Sequence, residues 1–261
     1  SRFLRISTMA SSSLCLKRMT RAFSSDASNP LAKIVIFGGS GFVGQSICKS
    51  ALELNCSVVI FSRREAPAEH HLRSERIKWV SGDVFRPSDY IDELKGSIGA
   101  VSCIGGFGSN EYMERICGDA TVEIASAAAS VNVENFAFIS AAGIDHKNPF
   151  LKGYIAGKLK AESTVLNKYF ESKGVVLRPG PIYGNRNVKG LNVPLGIFFR
   201  PVESLIKATG VSKFVKDSVF ESALSPPIDV RKVGRVAALA ALGKIPPGKL
   251  SIEEINELAD G

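Results

Sequence analysis

The sequence predicts an α/β protein, an open, doubly wound parallel sheet with a small C-terminal lobe, and three observations carry that expectation. Short apolar runs rich in Val, Ile and Phe recur at 33–37, 57–62, 76–80, 100–104 and 135–140, and continuous apolar strands of this kind are buried on both faces. Stretches with helical spacing separate them, as where Val43, Ile47, Ala51 and Leu54 share one helix face. The first strand passes through a glycine turn directly into its helix, and the second strand follows at the distance a βαβ unit needs.

Gly38-Gly39-Ser40-Gly41-Phe42-Val43-Gly44 is that turn. Gly38 suits a bend too tight for a side chain, Gly41 lets the backbone approach a pyrophosphate, and Gly44 lets helix and strand pack closely. The helix start offers unpaired N–H groups and a positive dipole end to phosphate oxygens. All seven residues are therefore expected to bind a dinucleotide, and the unit reads as a Rossmann domain. The second strand ends at Ser62-Arg63-Arg64. A site for NAD needs a carboxylate near this point for the ribose 2′-hydroxyl. A hydroxyl and two guanidinium groups suit a 2′-phosphate instead, so NADP(H) is favoured over NAD(H).

A polar, helical connection over 67–75 leads to strand 76–80. Asp83 and Val84 follow in Ser81-Gly82-Asp83-Val84 and are expected at the adenine edge, although Asp83 also suits the cap of a turn. A helix over 87–94 precedes strand 100–104, closed by Gly105-Gly106-Phe107-Gly108. Gly105 and Gly106 stand at the carboxyl end of a central strand and leave room for a cofactor there. A long helix over 111–131 precedes strand 135–140, which Ser140 ends. Tyr154 and Lys158 then open a helix running to about residue 170, and at i and i+4 they project from one face. A neighbouring ammonium lowers a phenol's pKa from ~10 towards neutrality. Tyr154 is thus expected to exchange a proton during hydride transfer, with Lys158 tuning it and orienting ribose, and Ser140 hydrogen-bonding the substrate oxygen.

The first 25 residues stand apart. They carry Arg2, Arg5, Lys17, Arg18 and Arg21, no acid and many serines, the composition of an organelle transit peptide. Arg21-Ala22-Phe23-Ser24 favours mitochondrial import, to the matrix or the matrix face of the inner membrane, with chloroplast import as the alternative. The formal charge of +8 includes those five cations; from Ser24 onward 28 Lys+Arg face 25 Asp+Glu, net +3. Nucleic-acid binding loses its support with them. No apolar run approaches the ~18 residues of a membrane span. Cys15, Cys48, Cys56, Cys103 and Cys117 form no C-x-x-C pair, and His70, His71 and His146 are not spaced with them as ligands, so no metal site is expected. The cysteines after the first segment read as buried thiols.

The segments Gly38–Gly44, Gly82-Asp83, Phe138-Ile139-Ser140, Tyr154-x-x-x-Lys158-x-x-x-Glu162 and Arg178-Pro179-Gly-Pro-Ile-Tyr183-Gly184 occur in an order that resembles the extended and atypical short-chain dehydrogenase/reductase superfamily. The resemblance runs from about 33 to 243 and implies a nicotinamide cofactor, with Pro179 counted among its contacts. Within the superfamily the chain looks most like two mitochondrial groups. One is the NAD(P)H-binding accessory proteins of ubiquinone biosynthesis, and the other is the Rossmann-fold accessory subunit of respiratory complex I. Two functions follow as expectations. One is an oxidoreductase acting on a lipid-derived or quinone-pathway carbonyl; the alternative is a non-catalytic NADPH-binding accessory protein of a mitochondrial complex. The chain departs from active members, which carry an Asn in the long helix before the fifth strand, because 113–122 contains none and Cys117 stands near that place.

The cofactor domain is expected over 33–178 and the lobe over 179–261, packed as one unit. The stretch 191–216 mixes Ile197, Phe198, Phe199, Leu205 and Ile206 with Lys207, Lys213 and Lys216, which suits a small-molecule or lipid-like substrate, peripheral membrane contact, or packing on the parent domain. Asp229 is expected to cap a helix ending near Gly243, followed by a last short helix over 252–258.

Overall fold

The computed structural model describes residues 31–63, 74–145, 151–188, 191–194 and 225–261. Arg64, the histidines, the N-terminal 25 residues, the expected 67–75 helix except Ser74 and Glu75, and the apolar and basic stretch beyond 194 lie outside the described residues.

Seven parallel strands form one sheet: β1 (Lys33–Phe37), β2 (Ser57–Ser62), β3 (Ile77–Ser81), β4 (Gly99–Ser102), β5 (Asn135–Ile139), β6 (Gly174–Leu177) and β11 (Gly248–Leu250). Across the sheet they run β11-β6-β5-β4-β1-β2-β3. The order reverses between β1 and β4, and a ligand crevice opens at the strand ends where it does so. Outside the sheet, β7 (Ile182–Tyr183) pairs in parallel with β10 (Ile228–Asp229), and β8 (Asn185–Val188) pairs antiparallel with β9 (Leu191–Pro194).

Side chains of β1 alternate between two cores, which is why every one of its inner positions is apolar. Ile34 and Ile36 join Ile60, Val101 and Val233 beneath helices α1 (Phe42–Glu53), α5 (Val230–Ala241) and α6 (Ile252–Asp260). Val35 and Phe37 face the opposite layer, against Phe61, Tyr90, Phe138 and Ile124. That layer comprises α2 (Ile91–Leu94), α3 over 110–130 and α4 over 152–169. Phe37, Phe61 and Tyr90 meet edge to face or tilted, with centroids 5.0–5.3 Å apart, and the Tyr90 hydroxyl donates to the Val84 carbonyl.

The two helices expected at 111–131 and 154–170 are both present, and each contains a π-turn, Arg115–Asp119 in α3 and Val165–Tyr169 in α4. Where they cross, a methyl group on Gly118 would come within 2.6 Å of the Gly157 Cα. Backbones therefore touch with no side chain between them, which draws α4 and its Tyr154–Lys158 face in over the sheet edge. On the other layer α5 closes against α1, where the Ser46 hydroxyl donates to the Val230 carbonyl. Asp229 caps α5 by accepting from the Arg231 N–H, as expected, and a Ser251–Glu254 capping box starts α6.

Candidate functional site

The site is a line along the carboxyl edge of the sheet. At its centre Gly38 takes φ +87°, a conformation that favours glycine. Its N–H donates to the Phe61 carbonyl and its own carbonyl accepts from the Gly41 N–H at 2.9 Å. Gly44 packs so closely beneath this turn that any Cβ would overlap the Gly38 oxygen. Gly41 is the N-cap of α1, with no side-chain hydrogen bond at the cap, so the first N–H groups of the helix are left for an anion. Gly39 is packed on Ile60, and the Ser40 carbonyl accepts from Gln45 Nε2. Phe42 is buried against Val230, with Val43 beside it, so these two residues reach the crevice through their backbone.

One end of this line, where adenosine is expected, is a cleft of about 810 Å³ lined by Arg63 just past β2, the end of β3, the turn after it and α3. Arg63 is exposed at its rim, beyond a buried Ser62. Asp83 accepts from the Phe85 N–H while its own N–H donates to Asp89 Oδ2, so the turn-capping role and a place in the cleft belong to the same residue. Val84 turns its side chain into the core. Sequence reasoning missed Arg86, Tyr112 and Arg115 on the cleft walls. Their contribution depends on how α3 docks over the sheet edge, and no local spacing carries that information.

At the other end Gly105, Gly106, Tyr154, Lys158 and Ser140 come together beyond β4 and β5. A Cβ on Gly105 would stand 4.0 Å from Lys158 Nζ and 3.9 Å from Cys117 Sγ. Lys158 is 4% exposed and donates to the Ile139 carbonyl at 2.7 Å. Its ammonium lies 4.7 Å from the Phe138 ring centroid and 5.8 Å from that of Tyr154. Tyr154 stacks on the exposed Phe107 ring, centroids 5.4 Å apart. Pro179 is buried at the end of β6, its carbonyl accepting from the Ala142 N–H.

Two expectations need correction. The Tyr154 phenol is not drawn down by Lys158: burial pushes it above its ordinary value, with a further push from Cys117. The ammonium is engaged by Ile139, and burial lowers its own affinity for a proton. Ser140, expected to meet a substrate oxygen, instead donates to Glu162 Oε1 at 2.6 Å. Glu162 is 1% exposed and also accepts two hydrogen bonds from Arg178, which in turn pairs with Asp145. Glu162 lies four residues past Lys158, so the helical spacing that singled out Tyr154 and Lys158 also points to it. Cys117, on the π-turn, donates to the Gly106 carbonyl at 3.4 Å. Among the described residues no group of three or more His, Cys, Asp or Glu is placed to hold a metal, and no helix is long and apolar enough to cross a membrane.

A reversed-order parallel sheet with a glycine turn under an uncapped helix, and a Tyr and Lys one turn apart at the neighbouring strand ends, defines a Rossmann-type nucleotide-binding protein of the short-chain dehydrogenase/reductase kind. The chain belongs to the NAD(P)H-binding family whose model matches residues 38–194. It is 36% identical over 237 residues to an uncharacterized chloroplastic protein of Arabidopsis thaliana, covering 87% of this chain and 77% of that one. It is 30% identical over 233 residues to the mitochondrial protein fmp-52 of Neurospora crassa, covering 85% and 92%. Its fold is similar to that of a Bacillus halodurans protein described as an NAD-dependent epimerase/dehydratase, with a TM-score of 0.61 and 15% identity over 88% of this chain and 99% of the other.

Proposed function

We propose that this is an organellar NADP(H)-binding oxidoreductase that reduces an apolar carbonyl compound, lipid-derived or from the quinone pathway. The observation that carries the reading is the meeting of Tyr154 and Lys158 with Gly105 at the strand ends, in line with the glycine turn and the arginine-lined cleft. The donor set fits a nicotinamide dinucleotide: open helix N–H groups would take the pyrophosphate, guanidinium groups the adenosine end, and the buried Lys158 ammonium the hydroxyls of the second ribose. When bound, such a cofactor supplies or accepts hydride. The chain's part is the proton. Tyr154 presents a neutral phenol placed to protonate the oxygen of a carbonyl under reduction; burial makes it a weaker acid than a free phenol, so its part rests on position and on the charge the reacting oxygen gains. Lys158 suits holding the ribose hydroxyls, and Phe107, stacked on Tyr154, shields the reacting centre from water. The relatives' mitochondrial and chloroplastic names support an organelle, and the basic first 25 residues are consistent with its import signal. The mitochondrial matrix or the matrix face of the inner membrane is the preferred compartment, and residues 179–224 the part that selects the substrate, since α5, β11 and α6 belong to the sheet and its core.

Two observations favour the second reading, a non-catalytic NADPH-binding member of a mitochondrial protein complex: Ser140 is committed to Glu162, and Cys117 stands near the place where active members carry Asn. Tyr154→Phe separates the two. For the oxidoreductase, loss of the hydroxyl lowers reductive turnover by about 10²-fold or more and leaves NADPH affinity unchanged. If Tyr154→Phe retains full biological activity while Gly41→Asp abolishes it, only binding matters and catalysis is ruled out.

A further inference from the structure

Three guanidinium groups from three separate elements line the adenosine cleft, and they are not equally engaged. Arg86 is ion-paired with Asp89 at 3.1 Å. The same carboxylate accepts from the Asp83 N–H at 2.9 Å, so its charge is committed to the turn after β3. Arg63, past the end of β2, and Arg115, at the head of the π-turn in α3, have no carboxylate partner among the described residues. Arg115 instead lies over the Phe85 ring, 4.3 Å from its centroid, which holds the guanidinium at the cleft wall. Two cations without a carboxylate partner among the described residues, on one concave surface, repel each other, and a dianion between them reverses the sign of that interaction.

We propose that Arg115 is a second specificity-determining residue, acting with Arg63 on a phosphomonoester at the adenosine ribose and so favouring NADP(H) over NAD(H). This rests on the reading above that a nicotinamide dinucleotide lies along the sheet edge. The two residues approach from different elements, Arg63 from the strand end and Arg115 from the helix across the cleft. A planar guanidinium resting on an aromatic ring keeps its N–H edge available for bidentate contact with phosphate. Because stacking already limits its motion, little freedom is lost on binding. Sequence position alone gives Arg115 no such role, since it stands more than 50 residues beyond Arg63.

The test is isothermal titration of the full chain and of Arg63→Ala, Arg115→Ala and Arg115→Lys with NADPH, NADH, 2′,5′-ADP and 5′-AMP. In the wild type NADPH binds more tightly than NADH. Arg115→Ala weakens NADPH and 2′,5′-ADP about tenfold while NADH and 5′-AMP change by less than about twofold, and Arg115→Lys recovers part of the loss. Arg115 is exposed, so the variant folds, and retained NADH affinity verifies it. A wild type without preference, an Arg115→Ala variant that binds NADPH unchanged, or equal weakening of both cofactors overturns the inference while leaving the cofactor reading intact. A wild type that binds neither nucleotide removes both.

Discussion

Glu162 collects more charge than any other buried side chain of the site. Its two oxygens accept from Ser140 Oγ and from Arg178 Nε and Nη2 at 2.6–2.8 Å, and Lys249 stands 3.6 Å away. A buried carboxylate is tolerable only with such compensation, and removing its charge leaves Arg178, itself largely covered, with Asp145 alone. Glu162→Gln is therefore expected to lower unfolding stability by about 2–3 kcal/mol, measured by urea denaturation. The Gln Oε1 can still accept from the Ser140 hydroxyl, so the loss falls mainly on the Arg178 pairing. The glycine turn, Tyr154 and Lys158 were legible in the sequence because each answers to a local rule of spacing. Tyr154's proton affinity was not, because it depends on how far Phe107 and the closely packed α3–α4 crossing exclude water, and that is a property of the packed site.

At the level of elements, strands β1 to β5 were readable since their apolar runs are continuous. The edge strand β11 was missed: in Gly248-Lys249-Leu250 only Leu250 is buried, so no apolar run announces it. The π-turns also left no trace, being changes of backbone winding that residue types do not encode. Helix α5 was anticipated from Asp229, and its cap gives a sharp expectation. The Arg231 guanidinium beside Asp229 holds its carboxyl below the usual carboxylate range. A carboxylate depressed on folding adds stability above its unfolded pKa of ~3.9 and loses it as pH falls through the folded value. Asp229→Ala is expected to cost about 1 kcal/mol near neutral pH, and the gap from wild type should narrow below about pH 4. Thermal melts at pH 7, 5 and 3 measure it; a gap that widens in acid would contradict the assignment.

For the molecule as a whole, a dinucleotide bound as proposed would touch the ends of β1, β2, β3, β4 and β5 and the helices over them, so binding would tie most of the sheet together. A ligand bound only by the folded state stabilises it by mass action, ~2.7 kcal/mol at one hundred times the dissociation constant. For a domain of this size that is a rise of roughly 5–10 °C in melting temperature, at ~2–4 °C per kcal/mol. NADPH is expected to produce it, and NADH at equal concentration to produce less, by differential scanning fluorimetry. Equal shifts from the two nucleotides would count against the arginine-lined end as a phosphate reader.

The placement of β11 has a bearing on synthesis. It lies beside β6 in the sheet, the Arg178 N–H donating to the Leu250 carbonyl at 3.0 Å, yet the ribosome must add everything from 178 to 247 before it appears. Until it does, whether at the ribosome or on arrival in an organelle, the outer rim of β6 is an open sheet edge that another strand can pair with. Truncation before residue 248 is therefore expected to leave a chain that aggregates where the full chain does not.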